Sequence, residues 1–160
     1  MMVEKEYTEG RTTFLSADVE HYSGDKKQIS ANLPVFYNPR MQLNRDISVL
    51  FLSGYLESNN IKSMCEPLTG SGIRTLRYLN ECSGDFSATM FDVNPAAVET
   101  ATKNIKQLGF EKRAKVVKGD AKLLLMTESR EERFDYVDVD PFGTPAPYLN
   151  AAIQSISPHG

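Results

Sequence analysis

The 160-residue sequence contains no tryptophan, only two cysteines and no excess of positive charge. Cys65 and Cys82 lack the Cys-x-x-Cys spacing, so we expect buried, reduced thiols rather than a zinc knuckle or a disulfide framework. The net charge of −3 excludes a generally basic body that binds nucleic acid by charge alone, so any such contact has to be local. The sequence also lacks a signal peptide and any apolar run near the roughly 18 residues of a membrane span, which predicts a cytoplasmic protein.

What the sequence does contain is the alternation of an α/β domain. Hydrophobic residues make up 41% and charged residues 24%, both typical of a globular chain. From Ile61 onward, short apolar runs alternate with helical patterns, which predicts parallel βαβ units. The predicted strands are Ile61–Cys65, Ser87–Phe91, Ala114–Lys118 and Phe134–Asp140. The predicted helices are Ile73–Cys82, Pro95 to about Gly109, Ala121–Ser129, and one from Pro145 or Ala146 to Ser157.

The segment before Ile61 has a different pattern. Val3–Leu15 predicts a hairpin that turns near Gly10, and Asp18–Ala31 predicts a polar loop. Asn44–Ser58 predicts a helix, because apolar residues recur there at helical spacing. These residues are Ile47, Leu50, Phe51 and Leu56.

The sequence predicts that the chain has two parts. We expect an N-terminal extension over residues 1–46 and an α/β domain over residues 47–160. The last four residues form a helix-stop signature, after which an open sheet would normally continue with another strand. The sequence therefore predicts a domain truncated after its fourth core strand.

The first strand is followed by a glycine-containing loop and a helix start, where an open parallel sheet binds nucleotide-like ligands. Glu66, Gly70 and Gly72 in this loop are candidate ligand-binding residues. Thr75 stands where a dinucleotide fingerprint would need glycine, which argues against a pyrophosphate cofactor. The alternative is an ordinary strand–helix turn.

Two further strands also end in acidic residues. Asp92 ends the second strand, 20 residues beyond Gly72, the spacing at which a carboxylate accepts ribose hydroxyls. Asp120 and Ala121 follow the third strand at the same predicted edge. Asp92 could alternatively be a helix N-terminal charge beside Asn94. Three strand ends at one crevice favour a ligand site.

The end of the fourth strand is the most specific signal. Asp140, Pro141 and Phe142 follow it directly. Enzymes that methylate exocyclic base amines need a carboxylate and a backbone carbonyl that accept hydrogen bonds from the amine's N–H groups and so orient its nitrogen. An aromatic ring can stack on a base drawn out of its helix. The alternative is an acid-capped turn with a buried Phe.

Together with four other segments, this motif resembles the tRNA guanine-N2 dimethyltransferase family. The matching segments are Thr8-Glu9-Gly10, Val35–Met41, Leu43–Asp46, Gly72-Ile73-Arg74, and Asp140–Gly143 with Pro145. The resemblance implies a Rossmann-like domain that uses S-adenosyl-L-methionine to dimethylate a guanine at position 26 of tRNA. It further implies a C-terminal domain, absent here, that helps to hold the tRNA.

The resemblance also assigns roles to residues. Its methyl-donor contacts fall on Arg45, Arg74, Asp92, Asp120 and Ala121, and its catalytic acid falls on Asp140. A guanidinium can pair with the donor's methionine carboxylate, and the acids suit ribose and the adenine amine. The Pro141 carbonyl and the Phe142 ring extend the site toward the base, and no metal is required. At Glu66 the family usually has Asp.

Three alternatives compete with this interpretation. The chain could methylate another base amine, such as adenine N6 or a different tRNA guanine. It could also be a fragment that binds the donor but catalyses nothing. A nicotinamide dehydrogenase is disfavoured by Thr75 and because His21 and His159 fall in predicted loops, where neither is well placed as a proton donor.

Overall fold

The structure is a computed structural model that describes residues 2–23, 33–130, 133–141 and 143–158. Within these residues the strands are β1 (Glu4–Glu9), β2 (Thr12–Ala17), β3 (Ser63–Glu66), β4 (Ser87–Asp92), β5 (Ala114–Lys118) and β6 (Tyr136–Val137). The helices are α1 (Val19–Ser23), α2 (Gln42–Leu56), α3 (Ile73–Glu81), α4 (Pro95–Gln107), α5 (Ala121–Glu128) and α6 (Ala146–Ser155). A short 3₁₀ turn, Pro39–Met41, precedes α2.

The last four strands form one parallel sheet in the order β5-β4-β3-β6. Because these strands run in the same direction, their carboxyl ends meet at one edge of the sheet. Neighbouring residues of β3 point to opposite faces: Met64 packs in a cluster with Leu52 of α2 and Tyr78 of α3, whereas Cys65 packs with α5 and α6. Helices thus cover both faces, and the predicted α/β fold is confirmed. Cys65 and Cys82 are free and buried, as expected.

The sequence signals that begin and end α4 act as predicted. The Asn94 side chain accepts a hydrogen bond from the backbone N–H of Ala96 at 3.0 Å, and Pro95 occupies the first turn. Gly109, with φ at +74°, follows the end of the helix.

The fourth strand is shorter than predicted. Only Tyr136–Val137 pairs with β3, so the prediction of a strand over Phe134–Asp140 is wrong at both ends. In the described residues β6 lies at the edge of the sheet and pairs with β3 alone. After β6 the chain leaves the sheet, so Asp140 and Pro141 lie beyond the ends of the strands.

The N-terminal hairpin forms as predicted. Glu9 pairs with Thr12 across a tight turn, in which Gly10 adopts φ of +55°. The hairpin lies against α3 and α4, where the Asn104 amide bonds both backbone groups of Leu15, at 2.7 and 2.9 Å.

The polar loop predicted over Asp18–Ala31 is wrong at its beginning. The Asp18 carboxylate accepts hydrogen bonds from the backbone N–H groups of Glu20 and His21, and these bonds start the short helix α1. Residues 24–31 of this prediction lie outside the described residues.

Helix α2 confirms the helix predicted near Asn44, but its apolar residues face two ways. Leu52 is 1% exposed and lies in the core. Ile47, Leu50 and Phe51 are between 58% and 74% exposed, so most of the pattern that predicted the helix lies on its outer face. The predicted boundary between residues 46 and 47 falls inside α2, and the division into extension and domain stays a prediction.

Candidate functional site

A cavity of about 540 Å³ lies at the carboxyl ends of β3, β4 and β6. This volume falls within the roughly 300–1,000 Å³ typical of small-molecule sites. Its wall combines the loop after β3, the residues after β4 and β6, and the segment that leads into α2. The polar and charged side chains in this wall are those of Tyr37, Asn38, Arg45, Glu66, Thr69, Ser71, Arg74, Asp92, Asn94, Asp140 and Tyr148.

The loop after β3 needs glycine at two positions for different reasons. Gly70 has φ of +53°, and a Cβ there would lie 2.9 Å from the Phe36 carbonyl oxygen. Gly72 has φ of +81°, and its Cβ would lie 2.7 Å from the Met90 side chain. Gly70 therefore lets the loop pass close to the Phe36 backbone at the cavity, whereas Gly72 lies behind the cavity wall and lets α3 begin against β4.

Glu66 is a buried acid at the base of the cavity. Its Oε2 accepts hydrogen bonds from the hydroxyls of Thr69 at 2.9 Å and Thr75 at 2.6 Å. Burial raises the pKa of Glu66 to about 7, with a further increase from Asp138, although Thr75, Arg74 and Thr69 oppose it. Thr75, which in the sequence only argued against a dinucleotide, therefore binds an acid of the cavity wall without lining the cavity itself.

Asp92, the last residue of β4, binds the loop that follows β3. Its Oδ2 accepts the backbone N–H of Gly70 at 2.8 Å and its Oδ1 accepts that of Asn94 at 2.9 Å. A carboxylate has about four acceptor positions, so capacity for ribose hydroxyls remains. Val93 beside it lines the cavity and is 68% exposed, an apolar surface of the kind that a flat base covers. No motif in the sequence pointed to Val93.

Arg45 enters the cavity wall from the first turn of α2 and is buried. Its Nε and Nη2 donate to the two carboxylate oxygens of Glu9, at 2.8 and 2.5 Å, and Nη2 also donates to the Asn38 carbonyl at 2.9 Å. The Tyr37 hydroxyl donates to the same Glu9 carboxylate at 2.7 Å. Sequence reasoning missed Glu9 as a partner of the site because 36 residues separate it from Arg45.

Arg74 has a different set of partners. One arm of its guanidinium donates to the Ser48 hydroxyl at 2.6 Å, and the other donates to Asn44 Oδ1 at 2.6 Å and to Asp140. Asp138 lies 3.6 Å from the first arm. Both arms are therefore engaged by protein groups, and one of them holds Asp140 at the cavity.

One cation thus lies between two carboxylates at the end of β6. Desolvation lowers the pKa of Arg74, but Asp138, Tyr78 and Asp140 raise it by a larger amount, so the pKa is raised overall. Burial raises the pKa of Asp138, and Arg74 and a hydrogen bond from the Tyr78 hydroxyl oppose that rise. Asp140 is 42% exposed at its side chain, against 15% for Asp138, so Asp140 is the acid that a ligand can reach.

The structure brings most of the predicted site residues to one cavity. Those in its wall are Arg45, Glu66, Gly70, Arg74, Asp92, Asp140 and Pro141. Asp120 and Ala121 do not line it; Asp120 instead caps α5 by accepting the backbone N–H of Leu123 at 3.0 Å. Phe142 lies outside the described residues. The functional roles of all these residues stay predictions.

Comparison with known proteins identifies the family. The sequence profile of N2,N2-dimethylguanosine tRNA methyltransferase matches residues 10–160. The chain belongs to this family. The resemblance drawn from the motifs around Asn44 and Asp140 is therefore confirmed.

Curated relatives of this tRNA methyltransferase family are similar over most of the chain. A tRNA (guanine(26)-N(2))-dimethyltransferase from Methanosphaera stadtmanae is 44% identical over 137 residues, which cover 85% of this chain and 34% of the relative. The protein of the same name from Methanopyrus kandleri is 39% identical over 96% of this chain and 37% of its own. The chain thus spans about a third of the length of the curated relatives it matches.

Solved structures agree with the family fold. Trm1 from Pyrococcus horikoshii, solved in complex with S-adenosyl-L-methionine, superposes with a TM-score of 0.74 at 29% identity, covering 95% of this chain and 40% of that one. A tRNA m1G37 methyltransferase from M. jannaschii superposes at 0.67 with 13% identity, covering 98% of this chain and 41% of that one. This second likeness shows a shared fold alone.

The part of the chain that the structure describes contains neither a candidate metal cluster nor a candidate membrane-spanning helix. No group of three or more His, Cys, Asp or Glu side chains among them could hold a metal ion. In residues 2–23, 33–130, 133–141 and 143–158, no helix has the length and apolar character needed to cross a membrane.

Proposed function

We propose that this chain carries the donor-binding and base-orienting part of an S-adenosyl-L-methionine-dependent methyltransferase that acts on the exocyclic N2 amine of guanine 26 in tRNA. The observation that carries the proposal is the reachable Asp140 carboxylate, held by Arg74 in the wall of the cavity that Asp92 and Arg45 also line. The names of the family and of its curated relatives support the substrate.

The side chains of the cavity wall offer a partner for each part of such a donor. Asp92 would accept the ribose hydroxyls, and Val93 would cover one face of the adenine. Arg45 would pair with the methionine carboxylate at the other end. The carboxylates of Asp92 and Asp140 in the wall suit a ligand with positive charge on its sulfur and its amino group. S-adenosyl-L-methionine supplies an electrophilic methyl group there.

The chemistry required of the protein is chiefly orientation. The lone pair of the guanine N2 amine is delocalised into the ring, so the amine is a weak nucleophile. Asp140 would accept a hydrogen bond from one N–H of the amine, and the Pro141 carbonyl would accept one from the other N–H. These two bonds would turn the nitrogen toward the methyl group. The methyl group would pass from the donor's sulfur to N2 as the sulfur–carbon bond breaks, leaving the neutral thioether S-adenosylhomocysteine, and the exposed Asp140 carboxylate could accept the proton that N2 then loses.

A second candidate function has an observation in its favour. The chain spans about a third of its relatives' length and carries a net charge of −3. Tight tRNA binding requires several contacts from Lys or Arg to phosphates. We therefore infer that the chain by itself binds the donor and transfers methyl groups poorly, and that segments like those of the longer relatives supply the tRNA contacts. A cytoplasmic location stays a prediction.

Two measurements test these proposals together. Calorimetry with S-adenosylhomocysteine tests the donor site on the 160-residue chain, and absence of binding would reject it. Transfer of labelled methyl groups to a tRNA transcript, with guanine or adenine at position 26, tests the substrate. We expect transfer only to the guanine transcript, and faster transfer by a protein extended with the C-terminal part of a relative. Equal labelling of both transcripts would reject guanine 26 as the target.

A further inference from the structure

The buried acid at the tip of the N-terminal hairpin, Glu9, binds a residue of the cavity wall without lining the cavity itself. Glu9 is 1% exposed, and both of its carboxylate oxygens are occupied by Arg45 in a two-bond arrangement. Tyr37 adds a third hydrogen bond, and Arg77 lies 3.6 Å from Glu9 Oε2. Such a forked pair fixes both the position and the plane of a guanidinium.

This arrangement leaves one arm of Arg45 available. Its Nε and Nη2 are bonded to Glu9 and to the Asn38 carbonyl. Its Nη1 has no hydrogen-bond partner among the described residues and is not one of their solvent-inaccessible unsatisfied atoms. Since Arg45 lines the cavity, Nη1 is the arm that a ligand there can use.

The other arginine of the cavity offers no such arm. Both Nη atoms of Arg74 are bonded to protein groups, and Asp140 is among them. A ligand carboxylate at Arg74 would have to compete with Asp140 and would meet the nearby Asp138 as well. Electrostatics therefore favours Arg45 as its partner.

The tip of the hairpin is anchored against α3 by close packing and hydrogen bonds. Gly10 follows Glu9 with φ of +55°, and a Cβ there would lie 2.5 Å from the Glu81 carboxylate. Glu81 accepts the Thr12 hydroxyl at 2.9 Å and is paired with Arg77 at 2.9 Å. The turn is thus held against α3, with Glu9 directed at Arg45.

We propose that Glu9 is a positioning residue that fixes Arg45 so that its Nη1 binds the carboxylate of the donor's methionine part. This inference rests on the proposed function in taking S-adenosyl-L-methionine as the ligand. It assigns the N-terminal hairpin to the donor site, although no hairpin residue lines the cavity.

The test compares two ligands that differ in the methionine part. S-adenosylhomocysteine carries the amino-acid carboxylate, whereas 5′-methylthioadenosine lacks it. In calorimetric titration of the 160-residue chain, Glu9→Gln is expected to weaken S-adenosylhomocysteine about 10-fold while 5′-methylthioadenosine changes less than about twofold. A purely structural role would weaken both ligands alike.

Glu81→Gln is the matched control, because it neutralises another acid that anchors the same hairpin but does not touch Arg45. Its ratio of the two affinities should equal that of the unmodified chain. If Glu9→Gln fails to fold, Tyr37→Phe decides, because it removes one hydrogen bond from Glu9 and no charge. We expect a loss of about threefold for S-adenosylhomocysteine alone.

The outcomes separate the two proposals. If the unmodified chain binds neither ligand, the donor site of the proposed function fails, and this inference fails with it. If the chain binds both ligands, and a folded Glu9→Gln or Tyr37→Phe keeps the unmodified affinity ratio, only the role of Glu9 is overturned. A selective loss of S-adenosylhomocysteine affinity supports it.

Discussion

The buried carboxyl group of Glu66 makes the stability of this protein depend on pH in an unusual direction. Its pKa rises from an ordinary 4.5 to about 7 in the folded chain, chiefly through burial. Between these two values the folded state holds the proton more tightly than the unfolded state does. Stability therefore falls as the pH rises through this window.

The magnitude follows from the two pKa values. The difference between 4.5 and about 7 corresponds to about 3 kcal/mol, at about 1.4 kcal/mol for each pH unit. Glu66→Gln keeps the size of the side chain and an oxygen for Thr69 and Thr75, and it removes the titration. Relative to the unmodified chain, the variant should gain up to about 3 kcal/mol of unfolding free energy between pH 5 and pH 8.

Urea unfolding of both proteins at several pH values measures this difference. Glu81→Gln is a control for which the pH dependence of stability has the opposite sign. Desolvation raises the pKa of Glu81, but the hydrogen bond and charge of Arg77 lower it by a larger amount, so the pKa is lowered overall. The stability that Glu81 contributes is present above pH 4.5 and is lost as the pH falls through its lowered pKa. A Glu66→Gln effect that stays constant from pH 5 to pH 8 would refute the assignment of a raised pKa.

Three further changes test the site and the surface. Asp92→Ala should weaken S-adenosylhomocysteine at least about 10-fold in calorimetry, because charge-assisted hydrogen bonds to the ribose are lost; unchanged affinity would remove Asp92 from the donor site. In a tRNA-active extended protein, Asp140→Ala should slow single-turnover methyl transfer about 100-fold with donor affinity retained. Near-normal transfer would point instead to Asp138. Ile47, Leu50 and Phe51 leave an apolar face of α2 exposed, so we expect the unmodified chain to self-associate. Leu50→Glu, at a side chain that is 74% exposed, should reduce this self-association in analytical ultracentrifugation without lowering the melting temperature, whereas an unchanged sedimentation profile would show that the α2 surface does not associate.

Local signals predicted the fold well because they act over a few residues. Asn94, Pro95 and Gly109 delimit α4 through bonds and dihedral angles within one turn. The alternation after Ile61 indicated four parallel strands, and parallel strands place their carboxyl ends together whatever their order. This rule predicted that Asp92 and Asp140 lie at the same edge of the sheet.

Tertiary structure decided what those residues bind to. Arg45 and Arg74 look alike in the sequence, yet one pairs with Glu9, 36 residues away, and the other with Asp140, 66 residues away. No periodicity reports such a pairing, because it depends on how the hairpin and β6 pack against α2 and α3. Asp120 matched a strand-end pattern but caps a helix outside the cavity, since a strand end fixes the edge and not the direction of a side chain. The buried position that raises the pKa of Glu66 likewise exists only once β3 is covered on both faces.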